Sequence, residues 1–148
     1  MVMGILISCV GCLPPKDVTE NLTYRGDWVT HGVYELRESL YLEREFPTAG
    51  IGVPGRDGPA SVEAWEADHT SAAHILTVLY RGTQIQFVSV VRFVSIEDDA
   101  IIPFGIITNG PQAGTHVTLT GVSRQCDAGG KAIYCVNPKY LYFVGAGP

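Results

Sequence analysis

Three β-rich runs, separated by short polar or Gly/Pro breaks, occupy residues 79–123. The first run, 83–96, has Val, Ile, Phe or Thr at nine of fourteen positions, and such side chains favour a pleated strand. Its apolar residues alternate as far as Phe87 and then change phase at Val88. This slip predicts a long strand that is either buried on both faces or bent by a bulge.

The two following runs are predicted to be shorter strands. In the run 100–108, Pro103 lacks an amide donor, so it should occupy an edge or bulge position. The run 114–123 alternates, with Val117 on the inner face and His116 on the outer face, as expected for a half-buried strand. Residues 28–45 are predicted to form two further strands, although 36–40 has an alternative helical spacing.

The remaining segments predict one short helix, one long loop and two more strands. Residues 59–68 suit a helix with Ser61 as its N-cap, and Val62 and Trp65 could form its buried stripe. Residues 46–59 carry four Gly and three Pro and should be a surface loop, a kind of segment that often carries function. Residues 74–80 are predicted to form a strand. Residues 140–144 are predicted to form a last strand in the interior of the sheet, because this run is apolar on both faces.

These patterns predict an all-β fold of five to seven strands, closed into a small barrel or arranged as a strongly bent antiparallel sheet, with one short helix. The long run with broken phase, followed by two shorter strands, resembles small SH3-like or OB-like barrels. A two-sheet sandwich is the competing architecture. Residues 1–27 are predicted to be a signal remnant and tether, and residues 28–148 a single β-barrel domain.

Composition supports a single turn-rich domain and argues against nucleic acid as a partner. The 148 residues are 46% hydrophobic and 17% charged, with 17 Gly and 9 Pro. The net charge is −5 and the chain has no run of Lys or Arg, so the basic footprint of a nucleic-acid-binding protein is absent.

The N-terminal segment carries a Cys preceded by apolar and small residues, Leu6-Ile7-Ser8-Cys9. This motif resembles the lipobox of bacterial lipoproteins, a resemblance that covers only these residues and implies diacylation of Cys9. No basic residue precedes it, and the apolar stretch is shorter than an ordinary signal core. The alternative is a short apolar N-terminus that is buried or disordered. Two acyl chains would give stable anchoring, so any membrane contact is predicted to occur through this anchor alone.

The C-terminal third predicts a disulfide between Cys126 and Cys135. A type II′ turn at Gly130-Lys131 would place the two cysteines directly opposite each other in a non-hydrogen-bonded pair. Their α-carbons would then be about 4.5 Å apart, within the range that a disulfide requires. The alternative is two unpaired thiols. A bridge agrees with export to an oxidising compartment.

Motifs that carry chemistry are scarce. The chain has no nucleophile elbow, phosphate loop or His-Glu-x-x-His motif, and the sequence predicts no catalytic residue, metal site or cofactor. His69 and His74 are five residues apart, which places them on one face of neither a helix nor a strand. His116 could act as a general base, but a lone surface histidine is usually only solvated.

The sequence therefore favours a lipid-anchored, non-enzymatic binding module on the periplasmic face of a bacterial envelope, and its partner would be an envelope protein or a cell-wall glycan. Trp28, Tyr34, Tyr41 and His116 are the candidate contacts if the aromatic residues are exposed, and packing in the core is the alternative for each of the three aromatic side chains. An envelope hydrolase with a site near residues 46–59 and one of the histidines is an alternative. A structural subunit of an envelope assembly is another. The sequence does not indicate an oligomeric state.

Overall fold

The computed structural model describes residues 13–45 and 48–148; the lipobox-like residues 6–9, including Cys9, lie outside the described residues. The described residues form eleven strands and two short α-helices. The strands are β1 Lys16–Asp17, β2 Gly32–Leu36, β3 Leu40–Arg44, β4 Ala49–Gly52, β5 Ile75–Leu79, β6 Gln84–Val94, β7 Asp99–Ile107, β8 His116–Thr118, β9 Ser123–Ala128, β10 Lys131–Val136 and β11 Leu141–Ala146. The helices are α1 Leu22–Arg25 and α2 Val62–Ala67, and single 3₁₀ turns span His69–Ser71 and Thr120–Val122.

Nine strands form one bent, open sheet. Its order is β11-β2-β6-β7-β8-β4-β3-β5, and β1 also pairs with β6, while β9 and β10 form a separate hairpin. The pairs are antiparallel except for β4 with β8, which is parallel. The predicted all-β class is confirmed. Of the two predicted arrangements, the sheet is bent and open and no closed barrel is formed, because no ladder joins β11 to β5 within the described residues. The predicted five to seven strands and single helix are corrected to the eleven strands and two short α-helices of the described residues.

The long strand β6 has the predicted break in phase. Phe87 is opposite Gly105 and Ser89 is opposite Phe104, so Val88 is the extra residue of a β-bulge. Phe87 is fully buried before the bulge and Val90 is buried after it, whereas Val88 is exposed. The bulge therefore transfers the core-facing set from odd to even positions, as expected when one residue is inserted into a period-two pattern.

Pro103 lies in β7, whose neighbours are β6 and β8, at a position that the pairing with β8 does not reach. β8 pairs only with residues 104–106 of β7, and the carbonyl of Pro103 accepts a hydrogen bond from the amide of Leu119 at 2.8 Å. Since the amide and carbonyl of one residue point to the same side of an extended strand, the missing amide lies on this side and removes no ladder bond. Proline is therefore tolerated there, as at an edge.

The predicted tether before residue 28 is in large part packed against the sheet. Strand β1 pairs with residues 91–92 of β6, and the amide of Leu13 donates to the carbonyl of Val94 at 3.1 Å. The buried hydroxyl of Thr19 accepts from the amide of Val90 at 2.9 Å. Asn21 caps α1. Short polar segments of this kind look like linkers in sequence because their pairing partner is about 75 residues away along the chain.

Two other predicted segments are corrected by the structure. The loop predicted at 46–59 contains the buried strand β4; a Cβ atom on Gly50 would overlap the carboxylate of Glu45. The strand predicted at 114–123 is only three residues long and continues into a 3₁₀ turn.

The last strand, β11, is a sheet edge and not an interior strand. It pairs only with β2, and three of its apolar side chains, those of Tyr142, Phe143 and Val144, are exposed. Apolar residues on both faces of a run thus do not establish that a strand has two neighbours.

Two hydrophobic clusters stabilise the fold. The main cluster includes Leu40 and Leu42 of β3, and the smaller cluster joins Tyr41 of the same strand to Val62 and Trp65 of α2. Strand β3 is therefore buried on both faces, and α2 covers its outer face. The predicted helix cap is confirmed, since the hydroxyl of Ser61 accepts from the amide of Ala64 at 3.1 Å.

The predicted disulfide between Cys126 and Cys135 is present, with the α-carbons 6.0 Å apart. The predicted register is corrected, because Cys126 is opposite Ile133 and the bridge runs diagonally across the hairpin. The loop residues are Gly129 and Gly130, with φ values of 62° and 83°. Two consecutive glycines accept the two positive φ angles of a type I′ turn. The turn therefore lies one residue earlier than the predicted turn at 130–131, and the partner of Cys126 moves by two residues, from Cys135 to Ile133.

Candidate binding groove beside the edge strand β5

The three aromatic residues predicted as exposed contacts are core residues. Trp28, Tyr34 and Tyr41 are all at most 3% exposed. The indole of Trp28 stacks on Phe87 with 5.5 Å between ring centroids, and its N–H donates to the carbonyl of Tyr134 at 2.9 Å. Buried Tyr and Trp commonly pair their polar atoms in this way, so the surface role predicted for these side chains is corrected.

His74 is the histidine nearest to carboxylates, and it lies in an open cleft of about 580 Å³. Its Nε2 donates to the carbonyl of Asp57 at 2.5 Å, while the carboxylate of Glu43 is 3.8 Å away. That separation exceeds a hydrogen bond. Burial, with a further contribution from the charge of Asp57, raises the pKa of Glu43. Within the described residues, the arrangement lacks the carboxylate-to-histidine hydrogen bond that a hydrolytic site would use.

The structure does not bring the three candidate histidines together. The ring of His69 stacks on Trp65, with centroids 4.3 Å apart and an interplanar angle of 10°. His116 is exposed on β8, and strands β4 and β3 separate it from β5. In the described part of the chain, no group of three His, Cys, Asp or Glu residues is arranged to hold a metal ion.

A groove lies where α2 meets the free edge of β5. We call it the β5 groove and define it by six lining residues: Trp65, Glu66, His69, Leu76, Thr77 and Tyr80. Its volume is about 440 Å³. Leu76 is 46% exposed and Tyr80 is 60% exposed, so the groove combines apolar and aromatic side chains with a carboxylate and an imidazole.

Leu76 is exposed because it is the extra residue of a bulge. Leu42 pairs with Thr77 and Glu43 pairs with Ile75, which leaves Leu76 without a partner. A bulge on an edge strand interrupts the regular row of free amides and carbonyls. The β5 groove is therefore suited to recognition by side chains and poorly suited to the addition of a long extra strand.

The local structure around α2 positions the groove. The hydroxyl of Tyr41 lies 2.9 Å from the carbonyl of Pro59 and 2.8 Å from that of Ser61, which fixes the start of the helix on the sheet. The hydroxyl of Tyr80 donates to Glu66 at 2.7 Å. This hydrogen bond raises the pKa of Tyr80 and holds the aromatic ring beside α2.

Trp65, which lines the groove, has a polar atom without a hydrogen-bond partner in the described part of the chain. Its indole N–H is buried and has no hydrogen-bond acceptor among the described residues. Buried polar groups are nearly always paired, so a donor without an acceptor calls for an explanation. Sequence reasoning placed Trp65 on the buried stripe of the helix but missed the groove, because the groove depends on the bulge at Leu76.

Comparison of the chain with models of known protein families, with curated proteins and with solved structures found no match. Within residues 13–45 and 48–148, no helix has the length and apolar character needed to cross a bilayer.

Proposed function

We propose that the protein is a lipid-anchored, non-enzymatic binding module of the bacterial cell envelope, on the periplasmic face, and that it binds an envelope protein through the β5 groove. The observation that carries the proposal is the pair of exposed groove residues, Leu76 and Tyr80, on a free sheet edge. Recognition surfaces are enriched in aromatic side chains. The distance of 3.8 Å between His74 and Glu43 favours binding over hydrolysis.

The position of the chain near residue 13 suits an anchor at Cys9. The amide of Leu13 is hydrogen-bonded to Val94 at the end of β6, and three residues lie between Leu13 and Cys9, so the two are at most about 14 Å apart along the chain. Tyr80 is in the turn that leads into the other end of β6. The eleven residues of β6 are about 33 Å long when extended. The β5 groove would thus face away from the membrane.

Acylation is tested by intact-mass analysis of the membrane fraction from cells that express the chain with its native upstream DNA. The expected result is a diacylated N-terminal Cys9 in the natural chain and no acylation in Cys9→Ser, while Cys12→Ser remains acylated. An exported chain with an unmodified Cys9 would refute the anchor.

Binding is tested by placing a photo-crosslinking amino acid at position 76 in the full chain in living cells. The same group at Leu22, which is exposed on α1, is the matched control. A discrete crosslinked envelope protein is expected from position 76 only, and its yield should fall when Tyr80 is replaced by Ala. Equal crosslinking from both positions would refute a specific groove.

A structural subunit of an envelope assembly is the second candidate. It is supported by the exposed apolar side chains of Tyr142 and Val144 on the other sheet edge, since exposed apolar patches often mark interaction sites. If this candidate is right, Tyr142→Ser with Val144→Ser should release the protein from a large complex in a sedimentation gradient. Unchanged sedimentation would exclude it.

A further inference from the structure

We propose that the occupant of the β5 groove is a basic segment of the partner protein, one that carries Lys or Arg beside an apolar side chain. This inference rests on the proposed function and adds the chemical class of the partner. It is argued from the charge around the groove, from the apolar floor and from the poor fit of other occupants.

The charge around the groove is negative. Residues 56–81 contain four carboxylates and two arginines, one at each end of the segment. Asp57 is paired with Arg56 at 2.8 Å, but Glu63, Glu66 and Asp68 form no ion pair within the described residues. These three are exposed on or next to α2; Glu66 lines the β5 groove and Asp68 lines the adjacent cleft that contains His74. A negative surface of this kind favours a cationic partner.

Two of the carboxylates, those of Asp68 and Glu66, already accept hydrogen bonds within the chain. Hydrogen bonds from the hydroxyl and amide of Thr70 lower the pKa of Asp68. Glu66 accepts from the hydroxyl of Tyr80 through one oxygen, and a carboxylate has further lone pairs for an incoming ammonium or guanidinium group.

The floor of the groove is suited to an apolar side chain. Leu76 and the ring of Tyr80 present exposed apolar surface, which a Leu, Ile or aromatic side chain of the partner would cover.

Two other occupants fit less well. A second copy of this chain is disfavoured, because its net charge is also −5. An anionic lipid surface would be repelled by the same three carboxylates. The bulge at Leu76 disfavours a long added strand. The occupant that fits best is therefore a short segment that binds through its side chains.

The test measures binding of fluorescently labelled eight-residue peptides to the full chain in detergent by fluorescence anisotropy. One set alternates Lys with Leu and Tyr; a second set replaces Lys by Glu; a third replaces Leu and Tyr by Ser. Only the first set is expected to bind, and its affinity should fall between about 50 mM and about 500 mM salt as the charges are screened.

The triple variant Glu63→Gln, Glu66→Gln and Asp68→Asn should weaken binding of the Lys peptides about ten-fold, since three exposed ion pairs contribute about that much together. The matched control changes the net charge equally at exposed sites away from the groove, with Glu20→Gln, Glu97→Gln and Asp98→Asn. This control should leave the affinity within about two-fold.

The outcomes separate the two proposals. If Leu76→Ser with Tyr80→Ala abolishes binding but the triple variant does not weaken it, binding at the β5 groove is supported and the basic partner is refuted. Equal binding of the Glu peptides refutes the basic partner too. If no peptide binds and soluble cell-wall glycan fragments bind in a salt-independent way, the basic partner is refuted and the module is a glycan binder. If neither the peptides nor the glycan fragments bind and position 76 gives no crosslink, both the binding function of the β5 groove and the basic partner are refuted.

Discussion

Removal of the disulfide should cost a large part of the stability of the fold. The bridge joins residues nine apart in sequence, and in the chain-entropy account a loop of this length lowers the entropy of the unfolded chain enough to contribute about 2.6 kcal/mol at room temperature. The bridge also lies where the hairpin meets the core, because Cys135 is buried in the main hydrophobic cluster. We therefore expect the double variant Cys126→Ala with Cys135→Ala to lose about 2 to 4 kcal/mol.

The assay is urea unfolding, followed by the fluorescence of Trp28 and Trp65, which are both buried. The oxidised protein, the protein reduced with a thiol reagent and the double variant are compared. Reduction alone should account for most of the loss. If the reduced protein and the double variant both unfold within about 0.5 kcal/mol of the oxidised protein, the chain-entropy reasoning is refuted for this hairpin. If only the double variant is destabilised, the cause is lost packing at position 135.

Three further changes test the packing and electrostatics of the sheet by urea or thermal unfolding. Gly121→Ala should destabilise the protein by about 3 kcal/mol, because the new Cβ would overlap the carbonyl oxygen of Ile51; an unchanged midpoint would contradict the close approach. Tyr41→Phe should cost about 1 kcal/mol, since the carbonyls of Pro59 and Ser61 would lose the hydroxyl donor while each keeps a backbone amide donor. Burial raises the pKa of Glu43 above its ordinary value of 4.5. The protonated carboxyl therefore stabilises the folded state fully at pH values below 4.5, and this contribution is lost as the pH rises through the raised pKa. Glu43→Gln should therefore be more stable than the natural chain at neutral pH, and its unfolding free energy should vary less with pH in that window.

The elements that could be predicted from sequence are those whose evidence is local. The bulge in β6 is visible as a change of phase at Val88, because the burial period of a strand is two. The cap of α2 is visible because Ser61 precedes the apolar pair Val62 and Trp65. The disulfide was predictable because the two cysteines flank a Gly-rich turn, although the register needed the φ angles of Gly129 and Gly130.

The elements that could not be predicted depend on distant partners. The segment before residue 28 looks like a tether, yet Lys16 is opposite Arg92 in the sheet. The run 140–144 looks like an interior strand, yet it has a neighbour on one side only. The β5 groove was missed for a related reason: Leu76 continues an apolar run, and only its pairing with β3 shows that it is the extra residue.

Each of the two edge strands of the sheet carries a β-bulge, and this feature links the fold to the proposed mode of binding. Strand β5 has its extra residue at Leu76, and β11 has one at Val144; both side chains are exposed. An open sheet with flat edges would pair with other sheets and aggregate, and an edge bulge hinders this. The same bulge at β5 turns an aliphatic side chain outward next to α2 and its carboxylates. A feature that protects the sheet from indiscriminate pairing thus also creates the side-chain surface on which a selective partner can bind.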